Sequence, residues 1–135
     1  MLGWWRYVIG ILVLALGISS MTQAAPGSWV TQVPGLMVTM SDRASRSEAV
    51  RPPAGITAPT AAIERVQWQY QHAPGAALQA WLCHPERCVP LSGMRGETRA
   101  LSGLGATTPL HFQFVLRPGQ RPVSVKGLQM IINYQ

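Results

Sequence analysis

The sequence predicts an all-β protein: a small antiparallel β-sandwich or partly open barrel of about seven to nine short strands. Apolar and polar residues alternate along several short segments, and turn-forming residues recur roughly every ten positions. Only 12% of the residues are charged, whereas there are 13 glycines and 11 prolines, and no helical period of useful length is present. This composition disfavours long solvated helices. A chain of 135 residues fits one domain, or one domain plus a processed leader.

The N-terminal segment has the pattern of a secretory signal peptide. Arg6 lies in a short first region, and the 12 residues at positions 7–18 include no charged or strongly polar side chain. A membrane-spanning helix needs about 20 apolar residues, so this run is too short to span. We expect cleavage after Ala24 and a single β-rich domain over residues 25–135, exported to the periplasm without stable membrane insertion. An uncleaved N-terminal anchor is the alternative.

The first part of the mature chain predicts two short strands and then a loop. The strands, residues 28–33 and 35–41, flank a turn at Pro34. Residues 42–62 have no apolar period and contain Ser, Arg, Ala, Thr, Gly and Pro. They predict a long mobile loop of about 20 residues, which is unusual inside a compact domain.

The rest of the chain predicts the core strands. Val66, Trp68 and Tyr70 alternate with glutamines, as in a strand with one face buried and one face in water. A turn at residues 73–76 leads to the next strand, and a weaker strand is predicted at residues 97–101. Four further residues share one face of a later strand: Leu110, Phe112, Phe114 and Leu116.

A turn at residues 118–120 separates that strand from the end of the chain. The C-terminal residues predict a short strand, VSVKG, followed by a last strand, LQMIINY. We expect this last strand to lie at a sheet edge. Such an edge can recruit a partner through backbone hydrogen bonds.

The two cysteines, Cys83 and Cys88, are separated by four residues that include Pro85. Export places them in an oxidising compartment, and a tight turn between two strands would bring them within disulfide reach. A redox pair is an alternative, although the thioredoxin-like motif has two intervening residues and opens a helix. A metal site using Cys83, His84 and Cys88 is another, although it lacks a second ligand pair.

Chemistry-bearing residues give no pattern typical of an enzyme. The five carboxylates are scattered and mostly adjoin arginines, which predicts surface ion pairs. His72, His84 and His111 are expected at the surface, because two lie in or near turns and the third is on the polar face of its strand. No nucleophile elbow, phosphate loop or zinc-protease motif is present in the sequence. The sequence therefore predicts a protein without catalytic activity, cofactor or metal.

Methionines and basic residues suggest further binding classes. Four methionines raise the question of copper handling, but filling of the core is the expectation for Met37, Met40, Met94 and Met130. The formal net charge is +6. Because the arginines are dispersed and the protein is expected to be exported, we predict an acidic protein, lipid headgroup or wall polymer as the partner, and no nucleic acid.

Taken together, residues 66–134 resemble the FlhE family of flagellar accessory proteins of Gram-negative bacteria. The resemblance rests on the Trp68-x-Tyr70 strand, the paired cysteines, and the C-terminal Asn133-Tyr134. Further matching segments are Pro74 to Leu78, Leu82-Cys83, Arg87 to Val89, Leu91-x-Gly93, Pro109 to Phe112, Val125-Lys126 and Ile131-Ile132. Gln69, Trp81 and the segment 42–62 depart from the family pattern.

The resemblance implies a periplasmic, non-enzymatic protein of the flagellar system, with flagellar rod or export-gate proteins as partners. Members are proposed to limit proton leakage through the export gate, or to act as a chaperone that prevents premature periplasmic assembly of rod components. The candidate partner-binding residues on this sequence are Arg117, Arg121, Lys126, Gln129 and Ile131. A cell-envelope adaptor, or a module that binds a small ligand or metal, is the alternative.

Overall fold

The computed structural model describes residues 27–55 and 58–135, so the predicted signal peptide at residues 1–24 lies outside the described residues and stays a prediction. The described residues form strands and turns, and none of them forms a helix long and apolar enough to cross a membrane. The nine strands within these two ranges are β1 (Gly27–Val33), β2 (Leu36–Val38), β3 (Ser45–Arg46), β4 (Ile63–Gln71), β5 (Leu78–His84), β6 (Arg87–Leu91), β7 (Arg95–Thr98), β8 (His111–Leu116) and β9 (Val123–Tyr134).

Two antiparallel sheets form a sandwich, which confirms the predicted fold class. One sheet has the order β1-β9-β4-β7, with β2 pairing the first part of β9 beyond the end of β1. The other has the order β3-β8-β5-β6. Alternation of side chains along each strand directs the apolar residues of both sheets inward. Aromatic contacts join the two layers, since the Tyr70 ring of β4 meets Phe112 and Phe114 of β8 at centroid distances of 6.2 and 5.2 Å.

The prediction that the last strand is a sheet edge is wrong. VSVKG and LQMIINY form one continuous strand, β9, which pairs with β1 on one side and β4 on the other. Leu128–Tyr134 pairs with all seven residues of β1, and the same segment also pairs with β4. Both neighbours are distant in the sequence, and the local alternation of β9 carries no information about them.

A β-bulge joins the two halves of β9. Gly127 has a φ of 63°, and the register with β4 shifts between Gln69 and Gln71. An extra residue with left-handed φ is typical of a glycine bulge. Both Val125 and Leu128 therefore point into the core although they are three positions apart. The bulge explains why the sequence pattern predicts two strands where there is one.

The segment 42–62 is only partly a loop. Ser45 and Arg46 form β3 and pair with Phe114 and Gln113 of β8. Val50 forms an isolated bridge with Leu110. The prediction of a long loop is therefore wrong for these positions, because long-range pairing with β8 supplies the hydrogen bonds that the local sequence does not indicate.

Three other local predictions need correction. The weak strand predicted at residues 97–101 is β7, Arg95–Thr98, and Leu101 lies buried in the turn that follows.

The prediction that the methionines fill the core holds for Met130 but is wrong for Met37 and Met94, whose side chains are 55% and 43% exposed. Met37 lies between Leu36 and Val38 on a strand whose alternate residues face inward, so its own side chain faces outward.

Replacing Gly127 by alanine should lower the free energy of unfolding by about 1 kcal/mol, because an L-residue is strained in the left-handed conformation that the bulge requires. Urea denaturation would measure it. Gly93→Ala is the matched control, since no atom lies within 4 Å of its added Cβ and its φ is not left-handed. Equal midpoints for the two variants would contradict this account of the bulge.

Candidate functional site

A cleft lies at one end of the sandwich, between two turns of the same kind. Residues 73–76 and 117–120 each contain a Pro-Gly pair, with φ of 81° at Gly75 and 82° at Gly119. The N–H of Ala76 donates to the carbonyl of Ala73 at 3.2 Å, and the N–H of Gln120 donates to that of Arg117 at 3.2 Å. Proline followed by a glycine with positive φ is the pattern of a type II turn. Both turns were predicted from the sequence.

Lys126 of β9 presents its basic side chain to this cleft, directly before the bulge. It is opposite Gln71, the last residue of β4, and it is exposed together with Gly127. Lys126 faces outward because it alternates with the buried Val125, whereas the extra residue Gly127 returns Leu128 to the core. Gln71 and Lys126 therefore contribute neighbouring side chains to the cleft.

The cleft has a volume of about 730 Å³ and a basic lining. Its lining includes the guanidinium of Arg121, the ammonium of Lys126 and the imidazole of His72. No carboxylate is among the described residues that line it. The other lining residues are Gln71, Ala73, Pro74, Gly75, Ala76, Gly119, Gln120, Pro122, Val123 and Ser124. The cleft therefore combines positive charge with neutral hydrogen-bonding groups.

These groups are suited to an anionic ligand. Arg121 presents a guanidinium, which recognises carboxylate or phosphate through two parallel hydrogen bonds, and Lys126 presents a compact ammonium. His72 is held in place, since its Nδ1 lies 3.0 Å from the carbonyl of Ala73 and therefore donates to it. Its ring centroid lies 6.0 Å from that of Tyr70. The arrangement can bind an acidic segment, but it contains no carboxylate to pair with His72 in acid–base catalysis.

The structure brings together two of the five predicted partner-binding residues, Arg121 and Lys126. Arg117 is the exposed first residue of the second turn and does not line the cleft. Gln129 and Ile131 lie farther along β9, on the outer face of the sheet. Gln129 is opposite Gln32 and Gln69 in its two neighbouring strands and accepts a hydrogen bond of 2.7 Å from the Gln69 amide.

His72 lines the cleft although it is not among the five candidate partner-binding residues. Two sequence features could have indicated the cleft: the matched Pro-Gly turns, and the break in the alternation of β9 at Gly127. Neither feature shows that the two turns meet at the same end of the sandwich. That convergence depends on the pairing of β9 with β4, which joins segments far apart in the chain.

The cysteines form a disulfide across a hairpin, as predicted. Cys83 of β5 is opposite Cys88 of β6, with Cα atoms 4.0 Å apart. The next pair, His84 and Arg87, closes the hairpin around the two turn residues. Both sulfurs are engaged in the bond, so they are not available to the metal site considered as an alternative. No cluster of three metal-ligating side chains occurs in the part of the chain that the structure describes.

His84 is buried, at 4% exposure, so the prediction of a surface position is wrong. The backbone N–H of Glu86 donates to His84 Nδ1 at 3.1 Å. Nε2 therefore carries the proton and donates to the carbonyl of Gly105 at 3.1 Å, and Thr108 Oγ1 also contacts it. His84 thus ties the cysteine hairpin to the loop before β8, a contact between segments that local sequence does not reveal.

Removing the disulfide by Cys83→Ala with Cys88→Ala should lower the free energy of unfolding by about 2 kcal/mol, because a bond that closes so short a loop restrains the unfolded chain weakly. Urea denaturation without reductant would measure the change. Titration of the denatured native protein should find no free thiol. Two free thiols, or an unchanged midpoint, would contradict the prediction.

His111 lies at the start of β8, beside β3. Burial lowers the pKa of His111 from its ordinary value, and the positive charge of Arg46 lowers it further, against the opposing effect of a hydrogen bond with Gln113. Its Nε2 is buried without a hydrogen-bond partner among the described residues. The folded protein therefore favours the neutral ring.

Because the unfolded chain binds this proton more readily, the free energy of unfolding should fall as the pH drops below about 6.5, the ordinary histidine value. Stability should continue to fall until the pH passes the lower pKa of the folded state. His111→Gln should flatten this dependence. The measurement is a series of urea midpoints between about pH 7 and pH 5; identical slopes for the two proteins would refute the assignment.

The described residues thus define a small two-sheet β-sandwich with a basic cleft at one end. The family model described as Flagellar protein FlhE matches residues 35–135. The chain belongs to the FlhE family of flagellar accessory proteins. The resemblance noted in the sequence is confirmed.

Individual relatives agree with this assignment over nearly the whole chain. Flagellar protein FlhE of Yersinia enterocolitica is 32% identical, covering 96% of this chain and 95% of the relative. Flagellar protein FlhE of Escherichia coli (strain K12) is 29% identical, covering 96% of this chain and 99% of the relative. A solved structure described as the crystal structure of FLHE has a TM-score of 0.72 and 25% identity, covering 83% of this chain and 99% of that one.

Proposed function

We propose that this protein is a non-enzymatic periplasmic binding protein that holds a flagellar rod or export-gate component by an acidic segment of that component. The observation that carries the proposal is the cleft with Arg121 and Lys126 in its lining and no carboxylate. Membership of the FlhE family supports a flagellar identity for the bound component. The docking of an acidic segment needs no chemistry beyond charge complementarity and hydrogen bonding.

Several features support a periplasmic location. The N-terminal sequence has the pattern of a signal peptide. A disulfide between Cys83 and Cys88 persists in an oxidising compartment and would be reduced in the cytoplasm. Both features agree with a protein that meets flagellar components outside the inner membrane.

The consequence of such binding depends on which flagellar component is bound. A protein that holds rod subunits would act as a chaperone and prevent their premature assembly in the periplasm. A protein that holds the export gate would limit proton leakage through it. The basic cleft fits an acidic segment of either partner, so the identity of the bound component decides between the two roles.

A cell-envelope adaptor that binds a small anionic ligand or wall polymer is the second candidate. The observation that favours it is the volume of the cleft, about 730 Å³, which lies in the range of small-molecule sites. This function predicts salt-sensitive binding to purified wall sacculi and no flagellar phenotype on deletion.

The first test is crosslinking of the tagged protein in the periplasm at its native abundance, with captured partners identified by mass. A double substitution, Arg121→Glu with Lys126→Glu, should reduce capture at least about tenfold, because it reverses the charge that faces the acidic segment. Recovery of rod subunits would favour the chaperone role, and recovery of export-gate proteins the role at the gate.

The matched control is Arg43→Glu with Arg51→Glu. This pair makes the same change in net charge at two exposed arginines that do not line the cleft, and we expect full capture. Equal loss in both double variants would show that total charge, and not the cleft, drives binding. Capture of wall fragments alone would overturn the flagellar role and favour the second candidate.

A further inference from the structure

The sheets have edges of two kinds. Four edge strands carry features that discourage pairing with another strand, and one of them, β2, is only three residues long. β7 is four residues long and contains Arg95 and Glu97. β3 has two residues, one of them Arg46. β6 contains Pro90, which has no N–H to donate. These edges are protected.

β1 has none of these protections. It is seven residues long, Gly27–Val33, with neither a charged residue nor a proline. All seven residues pair with β9 without a register shift, so the strand is regular along its length. In the part of the chain that the structure describes, no strand pairs with its other side. In an antiparallel edge strand, alternate residues direct their N–H and C=O groups away from the neighbour, and β1 therefore presents a row of such groups.

The outward-facing side chains of β1 are also suited to contact with an added strand. Ser28, Val30 and Gln32 are on the outer face of the sheet. Val30 is 52% exposed although it is apolar, and it is opposite Ile131 of β9. An added strand would cover part of Val30 and place one of its own side chains beside it, on the side opposite Ile131.

We propose that β1 pairs with β1 of a second copy of this chain, antiparallel and across a two-fold axis centred on Val30. A second copy is favoured because the strand is complementary to itself. Opposed residues in an antiparallel pair point to the same face of the sheet. The two-fold axis must therefore pass between two copies of the same residue, and Val30 is the middle residue of the seven. This register sets Val30 against Val30 and Ser28 against Gln32.

The pairing opposes no like charges, since the strand is uncharged, and it joins the two sheets into one continuous sheet. It also leaves the basic cleft open. β1 covers Leu128–Tyr134 of β9, whereas the cleft is lined by β9 residues that precede the bulge, such as Ser124 and Lys126. The proposal is independent of the proposed function, because a dimer could form with or without a flagellar partner in the cleft.

An interface of one strand on each side is small, so the dimer should be weak and reversible. Sedimentation of the full mature protein from roughly 10 μM to 1 mM should show a shift from monomer to dimer mass. Val30→Lys places two like charges together at the axis and should weaken the dimer at least about tenfold. Since Val30 is half exposed, this variant should fold, which its urea midpoint would verify.

Met37→Lys is the matched control: it adds the same charge at an exposed apolar residue outside the seven paired positions, and dimerisation should be unchanged. Val30→Glu alone should also be monomeric, and an equimolar mixture with Val30→Lys should restore a mixed dimer. Only a dimer in which residue 30 of one copy faces residue 30 of the other would show this rescue.

A wild-type protein that stays monomeric at about 1 mM would overturn the proposal, even if a different protein bound to β1. So would a dimer that withstands Val30→Lys, or a mixture of the two charged variants that remains monomeric. Crosslinking of flagellar partners through the cleft is measured separately, so failure of the dimer and failure of the proposed function are distinguishable.

Discussion

The structure depends on the pairing of β9 with strands on both of its sides. This 12-residue strand is the longest among the described residues. It pairs with β1 and β2 along one side and with β4 along the other, and these pairings span most of the chain. Its inward residues contribute much of the core: Val123, Val125, Leu128, Met130, Ile132 and Tyr134. A strand in this position cannot be lost or shifted by one residue without exposing these side chains to water.

The bulge at Gly127 allows β9 to supply core residues on both of its sides. Alternation along a regular strand would place Leu128 on the outer face if Val125 remained inside. The extra residue keeps both in the core. Lys126 alternates with Val125 and lies on the outer side directly before the bulge, where it lines the cleft.

The two surfaces proposed for binding, the cleft and the free edge of β1, adjoin different parts of β9. The cleft adjoins the residues before the bulge, and β1 covers the residues after it. They also differ in chemistry, since the cleft is cationic and β1 is uncharged. A mutation in one surface should therefore leave the other intact, provided that β9 itself keeps its register.

Features that depend on residues close together in the chain are predictable from the sequence. Alternation predicts β4 and β8, Pro-Gly pairs predict the turns, and the spacing of Cys83 and Cys88 predicts the hairpin disulfide. The family resemblance also follows from residues visible in the chain. Long-range packing determines that β9 is interior, that His84 is buried, that Met37 is exposed, and that His72 lies with Arg121 and Lys126 in one cleft. These facts depend on which distant strands pair, and a local pattern of side chains constrains the face of a strand but not its neighbour.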